Sequence, residues 1–314
     1  MIFTRTSEQF HGLPIVDFTV SDAALPSDPA ELPEAGAAAW RLRVAYGSEG
    51  GFDEVWAAFL ATVDPAGVRA VLIGPWWVRD YIPVEGALAN IVAEALRFPA
   101  LEALYVAHVS YEDCEISWLE LSDVTPVLTA FPGLTELVVC GGNGLRLSPV
   151  RHDRLTELRF ESGGLPTEVV QAVAASELPA LESLVLWFGA EEYGGDATID
   201  DVAPFLDGTR LPALRHLGLQ NSEFQDEIAA AVAHAPVVAR LESLSLSMGV
   251  LSDEGATALL EGQPLTHLKA LDLHHHYLTD PMQERLRQAL PGVEIDLSDA
   301  EEDDDGWRYV AEAE

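Results

Sequence analysis

The sequence predicts an α/β solenoid: a parallel sheet of about ten strands on a concave face with helices on the convex face. Three observations predict it. One short pattern returns along the chain: an apolar residue, two variable residues, an apolar residue, one variable residue, a third apolar residue. A stretch with helical periodicity accompanies most copies. Spacing between copies stays within 21 to 33 residues, the length of one strand–helix unit.

The elements follow in order. Residues 1–38 carry no copy and read as an N-terminal cap segment, rich in Pro and Ala, over the raw end of the core. Within it FHGLPIVDF is a candidate strand or apolar plug. Trp40 to Val44 alternates strictly and reads as the first strand of the sheet. Pattern copies then begin at Val68, Leu101, Leu134, Leu155, Leu181, Leu214, Leu241, Leu268 and Val293, giving a repeat domain over 39–298. The longest spacings carry insertions, PWWVRDYIPVEG, YEDCEISWLELSD and GAEEYGGDATIDD, which fall between strands. Helices are expected at FDEVWAAFLATV, GALANIVAEALRF, SDVTPVLTAF, PTEVVQAVAAS, DDVAPFLDG, DEIAAAVAHA, SDEGATALLEG and DPMQERLRQAL. Ser252 is a natural N-cap, with Asp253 and Glu254 favoured by the helix dipole. Asp280 is expected to cap the last helix ahead of Pro281. Residues 299–314 form an acidic C-terminal tail, expected to be disordered, with Trp307 and Tyr309 available to fold back.

Composition narrows the function. With 48% hydrophobic residues the chain has material for a continuous core and is not disordered as a whole. The 17 Lys plus Arg against 52 Asp plus Glu give a formal charge of −35. That charge disfavours nucleic acid and anionic membranes and favours a basic partner. Cys114 and Cys140 are too few for a disulfide scaffold. No signal peptide or membrane span is visible, so a cytoplasmic setting is expected. No phosphate-binding loop, zinc-protease, nucleophile-elbow or CxxC motif occurs, so no catalytic residue, cofactor or metal is assigned and an enzyme is not expected. Cys140 lies near acidic residues, which disfavour a thiolate nucleophile.

The copies LESLSLSMGVLSDEGATALL at Leu241 and LKALDLHHHYLTDPMQERL at Leu268 are similar to leucine-rich repeats of the ribonuclease-inhibitor-like class. Gly249, Ser222 and His276 stand where that family usually has Asn or Cys. The resemblance implies a horseshoe whose concave sheet binds a partner without catalysis. The chain also resembles stand-alone bacterial cytoplasmic leucine-rich repeat proteins. That group implies a partner among the enzymes or peptides of a biosynthetic cluster.

Alternation along each strand puts the apolar triad in the core and the intervening residues on the concave face. That face is expected to bind through Tyr105, Glu157, Arg159, Glu161, Trp187, His216, Gln220, Asp272, His274 and Asp296. Aromatic residues and Arg dominate binding energy at interfaces. The competing account is that these large side chains merely fill a tightly curved inner face. Asp272 and Asp296 hold the same strand position in successive copies, with His274 two residues on. That corner is the alternative site, for a metal or small ligand. The competing account there is a solvated His274 and a His276 that bonds its own turn. Trp118 and Tyr193, in the inserted segments Glu115–Asp123 and Glu192–Asp196, are candidate rim contacts.

Overall fold

The computed structural model describes residues 8–20, 32–302 and 307–314. Among them, twelve strands form one sheet in sequence order, open at both ends. They are β1 (Gln9–Phe10), β2 (Leu13–Phe18), β3 (Ala39–Leu42), β4 (Ala70–Ile73), β5 (Ala103–Val106) and β6 (Glu136–Cys140). Then come β7 (Glu157–Glu161), β8 (Ser183–Gly189), β9 (His216–Ser222), β10 (Ser243–Ser245), β11 (Ala270–Asp272) and β12 (Glu294–Asp296). Every pairing from β2 to β12 is parallel, and only β1–β2 is antiparallel.

Among the described residues, eight α-helices connect them, one for each helical segment expected from the sequence: α1 (Phe52–Thr62), α2 (Glu85–Ala93), α3 (Thr125–Ala130), α4 (Thr167–Ala175), α5 (Ile199–Leu206), α6 (Gln225–Val232), α7 (Asp253–Glu261) and α8 (Asp280–Ala289). None is long and apolar enough to cross a membrane. Parallel neighbours require such a crossover, which explains the strand–helix period of the sequence. The apolar triads fill one continuous core: Leu241, Leu244, Leu246 and Leu251 are fully or almost fully buried.

The sheet starts earlier than the sequence suggested. Trp40 lies in the third strand, not the first, because FHGLPIVDF folds into β1 and β2. His11 and Gly12 take φ of 53° and 68°, the two positive values that a two-residue hairpin turn requires. Phe18 pairs with Leu42 and occupies the core slot that Leu fills elsewhere. An edge-on cluster of Phe18, Trp40 and Phe59 closes that end of the core.

Helix starts are tied from one unit to the next. Ser252 Oγ accepts from Glu254 N at 3.2 Å, the expected N-cap. Asp226, in the first turn of α6, also accepts from Ser252 N at 2.8 Å and Gly255 N at 3.1 Å. Asp253 repeats the device on Thr279, at 2.9 Å from its backbone N and 2.7 Å from its hydroxyl. Thr279, not Asp280, is therefore the N-cap residue of α8, and Asp280 is its first helical residue.

Gly249 has a packing reason for replacing the expected Asn. A Cβ there would meet Gln225 Oε1 at 2.4 Å and Ser222 backbone at 2.7 Å. In the neighbouring units Ser222 Oγ accepts from Phe224 N at 3.1 Å and His276 Nδ1 from Leu278 N at 3.1 Å.

The C-terminal residues 307–314 return over the strand ends. Tyr277 Oη accepts from Tyr309 N at 2.9 Å. Ala311 N donates to Met248 O at 2.8 Å. Asn221 holds Glu312 on both sides: its Oδ1 accepts from Glu312 N at 3.0 Å and its Nδ2 donates to Glu312 O at 2.5 Å. Tyr309 thus folds back, whereas Trp307 is 76% exposed. The middle of the acidic run, 303–306, lies outside the described residues.

Candidate functional site

The sheet face that points away from the core divides into two halves. Parallel pairing places Tyr105, Val138, Arg159, Val185, Gly218, Ser245, Asp272 and Asp296 in one row across the strands. A second row runs through Cys140 and Glu161, and continues with Trp187 beside Gln220.

Over β5 to β7 the face is closed by the chain itself. Phe10 of the N-terminal hairpin lies edge-on over Tyr105, with ring centres 5.7 Å apart. His11 Nδ1 sits 2.8 Å from Glu136 and Nε2 sits 3.3 Å from Glu102, which also pairs with Arg69 at 2.7 Å. The hydrogen bond to Glu136 raises the His11 pKa against the opposing effect of burial. Tyr105 donates a very short hydrogen bond to Glu161, which also accepts from Arg159 Nη1 at 3.3 Å. Tyr105, Arg159 and Glu161 are all buried, so Tyr105 is no surface anchor. Beside them, burial and the Arg41 charge push His108 down to about 4. Burial, with Glu161 and Glu312, holds the Cys140 thiol far above its ordinary range. A protonated, enclosed thiol is no nucleophile.

Over β8 to β12 the face carries a continuous hydrogen-bond chain. Trp187 Nε1 donates to Gln220 Oε1 at 2.9 Å. Gln220 Nε2 donates to Ser245 Oγ and to Ser247 Oγ, each at 2.7 Å. Ser245 Oγ donates to Asp272 Oδ2 at 2.9 Å. Asp272 Oδ1 lies 2.7 Å from His274 Nδ1. Gln220 and Asp272 are buried, while Trp187, His216, His274, Asp296 and, on β7, Glu157 are half-buried and reach solvent. His216 Nδ1 meets Ser243 Oγ at 2.8 Å, and burial lowers its pKa.

The chain ends at the expected corner. Asp272 and Asp296 are direct cross-strand partners, and one ligand atom from each of Asp272, His274 and Asp296 falls within 4.8 Å of the others. Burial, the largest single effect, opposes ionisation of Asp272, but the bond and charge of His274, its backbone N–H and the Ser245 hydroxyl together outweigh it and its pKa is lowered. That same bond raises His274, aided by the charges of Asp272 and Asp296. His275 faces away, 3.0 Å from Tyr309 O, and His276 Nε2 lies 3.3 Å from Leu297 O, so the three histidines do not converge.

Sequence reasoning missed Ser243, Ser245 and Ser247 as connectors, although their alternation in LESLSLS was the available signal. Of the rim candidates, Tyr193 donates to the Glu314 carboxylate at 2.6 Å, which pushes its pKa up to about 12. Trp118 remains 58% exposed.

A solved structure of a Bacteroides fragilis protein, determined as a structural-genomics target, is similar to this chain at 32% identity with a TM-score of 0.76. The likeness covers 82% of this chain and 72% of that one. This chain belongs to the same family. No family model matches it, and no curated protein matches it. The shared family carries the α/β fold, and the name of this solved relative states no activity.

Proposed function

We propose that this chain is a leucine-rich repeat protein of the ribonuclease-inhibitor-like class, working in the cytoplasm as a non-catalytic binding module. It takes a basic protein or peptide on the concave face between β7 and β12. The observation that carries this reading is the fixed indole of Trp187, held by Gln220, which two serines hold in turn. An aromatic side chain already locked in one orientation loses little rotamer freedom on binding. Glu157, His216, His274 and Asp296 lie on the same sheet face at half exposure, and the formal charge of −35 favours a cationic partner. The N-terminal hairpin and the tail restrict that partner to the open half. Trp187→Ala separates binding from mere spacing: the variant should keep the fold and its unfolding midpoint within a few degrees, yet lose the partner. Retention of the partner would remove the concave face from the reading.

A second reading has its own observation. Two carboxylates and an imidazole converge at Asp272, Asp296 and His274, and the Ser245 hydroxyl fixes the orientation of Asp272 from behind, as hydrogen bonds to metal-binding side chains do. A divalent transition metal such as Zn²⁺ would replace the proton between Asp272 and His274. Titration with Zn²⁺ should give heat that His274→Ala abolishes. No heat with the unaltered protein would end this reading.

A further inference from the structure

Two of the insertions, PWWVRDYIPVEG and YEDCEISWLELSD, meet in space, on the loops that follow β4 and β5. Trp76 Nε1 donates to Ile82 O at 2.7 Å and pins the first insertion, and Val84 N donates to Glu120 O at 2.9 Å and ties it to the second. Asp113 N and Cys114 N both donate to Ser110 O, closing a tight turn in the second. The loops are therefore ordered before any partner arrives.

Between them stands a set of perpendicular aromatic rings. Trp77 and Tyr81 lie 5.1 Å apart at 79°, and Tyr81 and Trp118 lie 6.3 Å apart at 88°. Tyr81, Tyr111 and Trp118 are 41%, 74% and 58% exposed. Exposed aromatic clusters of this kind mark interaction sites rather than ordinary surface. Together with Glu112, Asp113 and Glu115 these three rings enclose a notch of about 180 Å³. It opens into a cleft of about 500 Å³ that shares Tyr81, Glu112 and Asp113. Asp113 lies 3.7 Å from Arg43. The carboxylates of Glu112 and Glu115 have no ion-pair partner among the described residues.

We propose that this notch receives a lysine or arginine side chain of a partner polypeptide. The ring faces attract a cation through their quadrupoles, and the two unpaired carboxylates supply the countercharge. An anionic or phosphate-bearing ligand would face three carboxylates here. The aliphatic stem of lysine or arginine would pack along the rings while its charged end reached the acids. The site lies on the loops, away from Trp187, and stands whether or not the concave face binds.

The test is titration of the ¹⁵N-labelled full chain with a short glycine–serine peptide carrying one central lysine, and with the same peptide acetylated at that lysine. The Trp118 indole N–H signal, assigned by its loss in Trp118→Phe, reports contact. The lysine peptide should shift it in a saturable way, and acetylation should weaken binding at least tenfold. Tyr111→Ala and Glu115→Gln should weaken the lysine peptide severalfold, whereas Glu284→Gln, which removes an exposed charge on α8, should leave it unchanged. Tyr111 and Glu115 carry no core packing, so unfolding midpoints should match the unaltered protein. Equal binding of the acetylated peptide, equal effects of Glu284→Gln and Glu115→Gln, or no shift of the Trp118 signal would each overturn the proposal.

Discussion

The indole nitrogen of Trp187 donates to the side-chain carbonyl of Gln220 across adjacent strands, at 2.9 Å. Gln220 is buried and uses its amide nitrogen on Ser245 and Ser247 at the same time. Gln220→Ala removes the acceptor of Trp187 and the donor of both serines at once. The expected cost is about 1–3 kcal/mol in urea unfolding, from buried polar groups left without partners. Trp187 should gain mobility, read as narrowing of its indole N–H signal in ¹⁵N NMR, assigned by its loss in Trp187→Phe. An unchanged midpoint would mean that the network adds nothing to stability.

The Asp272–His274 pair sets a pH window. His274 is raised above its ordinary 6.5, so its contribution is complete below that value and fades as pH rises through the raised pKa. Asp272 is lowered below its ordinary 3.8, so its contribution is present above that value and fades as pH falls through the lowered pKa. The ion pair is therefore intact between the two. In an NMR titration His274 should ionise above 6.5, and Asp272→Asn should bring its pKa down. A His274 pKa indifferent to Asp272→Asn would contradict the pairing.

Glu312 sits half-buried where the tail crosses the strand ends, and burial together with the Glu161 charge raises its pKa. A raised carboxylate favours the docked tail at low pH and opposes it as pH rises through that pKa. Glu312→Gln should therefore tighten docking at neutral pH, because the backbone bonds to Asn221 survive the change. Hydrogen exchange at Ala311, whose N–H bonds Met248 O, should slow in the variant. Faster exchange would show that the charge helps the tail.

Asp226 belongs to α6 yet serves α7, accepting from Ser252 and Gly255. Asp226→Ala should cost about 1–2 kcal/mol, the upper part of the range for a lost helix cap, because adjacent units are uncoupled as well. Asp253→Ala should cost less, since Thr279 is solvent-facing. Equal small losses at both positions would argue against coupling through these carboxylates.

Much of this architecture was legible in the residues. The triad beginning at Leu241 fixes which side chains enter the core, and the copy at Leu268 with the degenerate one at Val293 put Asp272 and Asp296 side by side. Each helix was visible because its apolar residues recur at helical spacing. At the ends, FHGLPIVDF was visible as a candidate strand and Tyr309 as a residue able to fold back, but the contacts they make were not legible. Phe18 fills a core slot without the repeat spacing, and His11 reaches Glu136, 125 residues away. The Asn221 grip on Glu312 spans 91 residues. No local pattern encodes contacts of that range, and they decide which half of the face is open. Tyr105 and Arg159 looked like anchors because alternation gives the face a side chain points to, not what covers it.

The most direct test of a charge-steered binding module is affinity purification of the chain from its native cells at low and high salt, with the Trp187→Ala variant alongside. The account predicts one dominant basic partner, captured at low salt, reduced at high salt and absent with the variant. A partner retained equally at both salts and by Trp187→Ala, or none under any condition, would contradict it.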